Sequence, residues 1–235
     1  MITTILFDLD GTLLPMDQEK FIKAYMAGLT RKAAGRGYDP EKVPAAIWAG
    51  TKAMVKNDGR TTNEDVFWQT FSALCNRDAK KDIAVFEDFY RNEFQDIRHV
   101  CGFDSRACEA IREIKALGYR VALATNPLFP AIATYSRARW AGLDPEDFDL
   151  ITTYEDSRHC KPNPAYYQDV MDALKVKAEE CVMVGNDVDE DMIAEKLGLK
   201  VFLLTDSLIN KSGTDINGYP HGSFPELMDF IRSLK

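Results

Sequence analysis

Five short apolar runs, spaced by helical stretches, constrain this chain more than any other feature. They occupy residues 3–8, 119–125 (YRVALAT), 148–154 (FDLITTY), 181–185 (CVMVG) and 200–205 (KVFLLT). Most are apolar on both faces, which suits strands of a parallel sheet covered by helices on either side. Helical patterns over 104–117, 130–142, 163–175 and 189–198 supply the cover. With right-handed crossovers, the pattern predicts an α/β fold built on a doubly wound parallel sheet.

One interval breaks the alternation. From Pro15 to about Val100 no strand-like run occurs, and helical spacing predicts helices over 17–34, 41–57, 62–76 and 82–96. Thr62, three residues ahead of Asp65, resembles a capping box before Val66, Phe67 and Phe71. The expected organisation is therefore a core domain of residues 1–14 and 101–235 with an inserted all-helical domain at 15–100. The stretch NKSGTDINGYPHG, residues 210–222, reads as a long surface loop.

At 235 residues the chain can fill one large core plus a smaller insert. Its formal charge of −8 argues against a nucleic-acid surface, which needs clustered Lys and Arg. The five cysteines are odd in number and form no CxxC pair, so neither a disulfide framework nor a thiolate zinc site is indicated. No run approaches the roughly 18 apolar residues of a membrane span, and no export signal opens the chain. The expectation is a cytoplasmic monomer or homodimer that engages neither membrane nor nucleic acid.

In a doubly wound sheet, ligands bind beyond the carboxyl ends of the strands, so residues following the apolar runs converge. The first run ends in Asp8 and Asp10, and the second in Thr125 and Asn126. Lys161 lies in the loop after the third, and Asp187 follows the fourth with Asp191 four residues on. Two carboxylates at the end of a buried strand repel each other and lose hydration unless a cation or a proton intervenes. Acidic groups joined by a lysine and a hydroxyl suit a hard divalent cation such as Mg2+, which takes oxygen ligands and commonly shares them with phosphate. With Asp8 as a nucleophile on phosphorus, Lys161 and Thr125 would hold the remaining oxygens in line.

The segments DLDGTLL, LATN, KPNP and VGNDVDEDMIAEKLG resemble, in order, the four motifs of the haloacid dehalogenase-like (HAD) hydrolase superfamily. The likeness spans Met1 to Leu14 and about Gly102 to Thr205, and the helical insert falls where that family's type 1 cap sits on a Rossmann-like core. It implies a phosphatase in which Asp8 forms an aspartyl-phosphate and Asp10 serves as general acid and then as base. It further implies that Asp8, the Asp10 carbonyl and Asp187 bind Mg2+, while Thr125, the Asn126 backbone and Lys161 bind the phosphoryl group. Asp191 either reaches the metal through water or orients Lys161.

Taken singly, these stretches have plainer readings. Asp10-Gly11 is a common turn dipeptide, Thr125-Asn126 before Pro127 a polar strand exit, Lys161 a solvated loop lysine, and GNDVDEDM an N-capped helix start. His159, Cys160 and Asp206 lie beside the candidate set, and Lys52, Lys56 and Arg60 lie near an insert turn where a second anionic group could bind. Trp48, Trp68 and Trp140 read as packing residues. The leading expectation is a Mg2+-dependent phosphatase of a small phosphorylated metabolite. A phosphomutase fits the same motifs, a C–halogen hydrolase has no use for Asp10 and Asp187, and a binding protein has no need of the Asp8/Asp10 pair.

Overall fold

All five apolar runs become strands, and a sixth joins them. In a computed structural model describing residues 1–235, the strands are β1 (Thr4–Phe7), β2 (Arg120–Leu123), β3 (Leu150–Ile151), β4 (Cys181–Gly185), β5 (Lys200–Leu204) and β6 (His221–Gly222). They form one sheet in the order β3-β2-β1-β4-β5-β6, with every pairing parallel. The helices are α1 (Gln18–Gly35), α2 (Val43–Val55), α3 (Asn63–Cys75), α4 (Ile83–Arg91), α5 (Ser105–Ala116), α6 (Ala131–Trp140), α7 (Pro164–Leu174) and α8 (Phe224–Arg232).

Side chains on a strand alternate between faces, and the core divides accordingly. Ile5, Phe7, Val121, Leu123, Val182 and Val184 pack with α5, α6 and α8 in one apolar cluster. Leu6, Ala122, Met183 and Val201 pack with α7 in another. Burial of each large apolar side chain contributes about 1.5–3 kcal/mol, so the central strand is clamped from both sides. This is the doubly wound α/β arrangement expected from the sequence.

Several boundaries differ from expectation, each for a local reason. The third run pairs only over Leu150–Ile151 before turning away. The expected helix at 82–96 breaks at Asn92, whose side-chain amide donates to the Asp88 carbonyl at 3.0 Å and carboxylate at 2.9 Å, and continues as a 3-10 turn over Glu93–Val100. Residues 189–198 are not an α-helix: the Asp187 carboxylate holds the preceding N–H groups in a turn, and only a 3-10 segment, Met192–Leu197, follows. The expected loop at 210–222 contains a 3-10 turn, Ile216–Gly218, and β6. Helix α8 was not anticipated; it starts where Glu226 accepts from the Ser223 amide at 2.9 Å.

Residues 18–100 contribute helices and no strand to the sheet. Thr62 caps α3 by accepting from the Asp65 amide at 3.2 Å, while the Asp65 carboxylate turns to Lys80 at 2.6 Å. The segment enters and leaves at one place, where Gly102 donates to the Pro15 carbonyl at 2.7 Å. Aromatic contacts seat it on the α6 side of the sheet, with ring centroids 5.0 Å apart for Phe94 and Trp140 and 5.2 Å for Tyr25 and Phe129. No helix is long and apolar enough to cross a membrane.

Candidate active site

The strand order reverses beside β1, which has β2 on one side and β4 on the other. A crevice opens outside the carboxyl ends at such a point. The Asp8 amide donates to the Val184 carbonyl at 2.9 Å, extending the ladder by one residue and fixing the first carboxylate at the crevice floor. The chain then turns at Gly11, where φ is +88° and an added Cβ would lie 2.3 Å from the Asn186 amide nitrogen. Only glycine meets both demands. The turn brings the Thr12 hydroxyl 3.0 Å from Asp8 Oδ2 and 3.0 Å from Asn186 Oδ1, its single proton serving one at a time.

Each of the two opening carboxylates has its own side-chain cation. Asp8 Oδ1 accepts from Lys161 Nζ at 3.1 Å, and the same ammonium donates to Asp191 Oδ1 at 2.6 Å. Lys161 is 1% exposed, far from the solvated loop lysine of the plainer reading. Burial alone would lower its pKa, but the carboxylates of Asp191 and Asp8 outweigh burial and hold it well above the ordinary lysine range. Asp191 is pushed up by burial and pulled down by Lys161; the short contact favours the ion pair. Its other oxygen accepts from the Asp187 amide at 3.0 Å, an approach open because an added Cβ at Gly185 would sit 2.0 Å from that oxygen.

Asp10 pairs instead with Arg137, a residue the sequence reading did not single out. Arg137 is 1% exposed, and its guanidinium lies 4.3 Å from the centroid of Phe129. Burial raises the Asp10 pKa, and Arg137 works against that rise. Asp10 Oδ1 is buried with no hydrogen-bond partner.

Asp8, Asp10, Thr125, Asn126, Asp187 and Asp191 all line one cavity of about 210 Å³. Thr125 is held by its carbonyl, which accepts from Thr152 Oγ1 at 2.6 Å and Tyr166 OH at 2.9 Å. Asn126 donates to Glu190 at 3.0 Å, and its own Oδ1 is buried without a partner. Glu190, also on the cavity wall and also missed, has its pKa raised by burial. Asp187 Oδ1 accepts from the amides of Asp189 at 2.8 Å and Glu190 at 3.0 Å. No three acidic, His or Cys side chains gather into a ready metal cluster. The donors are nonetheless hard oxygens, and Asp10 and Asn126, each with a buried Oδ1 that has no partner, both line the cavity. That chemistry fits Mg2+, which usually takes one or two carboxylates and retains water.

The neighbouring candidates lie elsewhere. His159 Nδ1 is 2.7 Å from Asp169, and the Cys160 thiol, pushed up to about 12 by burial, contacts Asn63. Asp206 pairs with Arg106 at 3.1 Å and Arg60 with Asp58 at 2.6 Å. Lys52 and Lys56 are not on the cavity wall. Trp68 and Trp140 are packed as expected, whereas Trp48 is 53% exposed.

A family model described as haloacid dehalogenase-like hydrolase matches residues 2–207. The chain belongs to that family. Among curated relatives, it is 28% identical over 233 residues to a phosphoglycolate phosphatase of Colwellia psychrerythraea, covering 98% of this chain and 96% of the other. It is 27% identical over 199 residues to the pyrophosphatase PpaX of Bacillus cereus, covering 85% and 81%. Among solved structures, the 2-haloacid dehalogenase of Pseudomonas syringae aligns over 100% of both chains with a TM-score of 0.64 at 20% identity, a likeness of fold. This HAD-like hydrolase therefore has the fold that its motifs imply.

Proposed function

We propose that this hydrolase is a Mg2+-dependent phosphatase that cleaves small phosphomonoesters through an aspartyl-phosphate on Asp8. The observation that carries the reading is the placement of Asp8: it stands at the end of the central strand, 3.1 Å from a buried lysine, on a cavity shared with Asp10, Thr125, Asn126 and Asp187. Two curated relatives being named for phosphate-releasing activities supports the same reaction class.

In the proposed reaction an Asp8 carboxylate oxygen attacks phosphorus, the bond from phosphorus to the ester oxygen breaks, and Asp10 gives its proton to the departing alcohol. Asp10 then takes a proton from water, whose oxygen attacks the aspartyl-phosphate and frees phosphate and Asp8. Thr125, the Asn126 backbone and Lys161 hold the phosphoryl oxygens. Asp8, the Asp10 carbonyl and Asp187 would hold Mg2+, which would supply positive charge to offset the repulsion between carboxylate and phosphoryl group. Asp191 keeps Lys161 in place by its 2.6 Å contact. Residues 15–100 serve as a cap, hinged where the chain passes Pro15 and Gly102, that excludes water during transfer.

Hydrolysis of p-nitrophenyl phosphate with and without Mg2+ tests the reading. Activity that disappears with EDTA is expected; no hydrolysis under either condition returns the chain to a binding role, and retention of label on a sugar phosphate identifies a mutase.

A further inference from the structure

Beside the cavity that holds the carboxylates lies a second one of about 130 Å³, walled by α1, α2, α3, the loop after β2, Tyr90 of α4 and Tyr154 beyond β3. The two share a wall: Ile22, Leu128 and Phe129 line both. The character of the wall changes abruptly across those three residues. On the Asp8 side carboxylates, amides and Lys211 stand among Met16, Phe21 and Ile209; on the other it is Trp48, Phe67, Trp68, Met26 and their neighbours, with no charged side chain.

The few polar side chains of this second wall are engaged with one another or with the backbone. Tyr25 OH and Tyr90 OH are 2.9 Å apart, Trp68 Nε1 donates to Tyr154 OH at 3.3 Å, and Thr51 Oγ1 donates to the Ile47 carbonyl at 3.0 Å. A ligand group entering the space would meet mostly apolar surface, the hydroxyl protons left over in these tyrosine pairs being its only side-chain donors. A carboxylate or a second phosphate would lose its hydration there with no cation in exchange. The one cation lining the larger cavity, Lys211, does not line the smaller.

Resting on the phosphatase reading above, we infer that the aromatic cavity is the leaving-group site and that the substrate is the phosphomonoester of an apolar alcohol about the size of one six-membered ring. A dry apolar cavity of about 150 Å³ admits benzene, so the volume matches one ring rather than a fused pair. With phosphorus at Asp8, the ester oxygen faces Asp10, and the carbon skeleton passes Leu128 and Phe129 into the aromatic space. Phe129 is held in place on this path by the Arg137 guanidinium against its ring. Trp48, half-exposed on α2, forms the outer wall, which accounts for a large aromatic side chain left partly in solvent.

The test compares kcat/KM of the full chain with Mg2+ for benzyl phosphate, methyl phosphate and 2-phosphoglycolate, with acetyl phosphate as a reactive acyl phosphate that needs no leaving-group site. Benzyl phosphate is expected to exceed methyl phosphate by about 10- to 100-fold, the factor that burial of one ring supplies. Thr51→Phe, which fills the cavity, and Trp48→Ala, which opens its exposed wall, should each cut the benzyl-to-acetyl ratio by roughly tenfold. If acetyl phosphate is hydrolysed but benzyl phosphate does no better than methyl phosphate or 2-phosphoglycolate, the substrate class is overturned and the hydrolase reading stands. If acetyl phosphate and the esters are all untouched, the hydrolase reading falls and takes the substrate class with it.

Discussion

The guanidinium of Arg137, in the second half of α6, is ion-paired with the carboxylate of Asp10, 127 residues earlier at the end of the central strand. The arginine is inaccessible and stacked on Phe129, while the Asp10 side chain is 22% exposed, so removing the cation leaves a largely buried carboxylate without its counter-charge. Arg137→Met is expected to cost about 3–5 kcal/mol in urea unfolding, the usual effect of breaking a buried pair by deleting one partner. Arg137→Lys, which keeps charge but not the planar stack, should recover part of the loss. A change within about 0.5 kcal/mol for Arg137→Met, the range of ordinary surface substitutions, would show that the pair does not form in solution.

Asp8→Asn should abolish turnover and leave the fold intact. From sequence alone, relief of repulsion between Asp8 and Asp10 predicts a gain in metal-free stability. The structure predicts a loss of about 1.5–3 kcal/mol, because Lys161 already compensates Asp8 and would lose that charged hydrogen bond. Urea midpoints in EDTA separate the two signs.

Asp10→Asn should be selective for the leaving group. An alkyl alkoxide needs a proton as it departs, whereas nitrophenolate leaves largely unaided. Single-turnover rates on an alkyl phosphate should therefore fall far more than on p-nitrophenyl phosphate, and the aspartyl-phosphate should persist for want of a base. Equal losses on both esters with normal dephosphorylation would leave Asp10 a structural role.

Lys161 links stability to alkaline pH. Its pKa in the folded chain is raised, so the folded state binds that proton more tightly than the unfolded state. Its contribution is complete below the unfolded value of about 10.4 and is lost as pH rises through the folded value. Melting temperatures followed from pH 8 upward should fall above that point in the native chain. Lys161→Met should be less stable at pH 8 by about 3–5 kcal/mol and show a shallower alkaline decline.

Much of the site was readable because a single rule, that ligands meet the carboxyl ends of parallel strands, gathers distant residues without reference to side-chain detail. Asp8, Asp10, Thr125, Asn126, Asp187 and Asp191 meet on one cavity for that reason, and Lys161 reaches them from behind. Arg137, on α6, follows no strand end. A signal for Arg137 did exist: it lies four residues after buried Ala133 and three before buried Trp140, a charged residue on an apolar helix face. Glu190 was hidden in an acidic run whose members share composition but not direction. The aromatic cavity was illegible because its walls come from four helices, α1 to α4, and from the chain after β2 and β3, and their periodicity announces only burial.

The parallel order also sets a timetable. β1 is the first strand to be synthesised, yet its partners arrive late: Thr4 pairs with Arg120 on one side and with Cys181 on the other. At about 5–20 residues per second, the wait from the first strand to the end of β4 is on the order of ten to thirty seconds. The helices of residues 18–100 draw on nearby contacts and can gather during that interval, as local contacts form before distant ones. A nascent chain halted before Cys181 thus carries both opening aspartates and the aromatic side chains around them, but holds the strand that aims them from one side only.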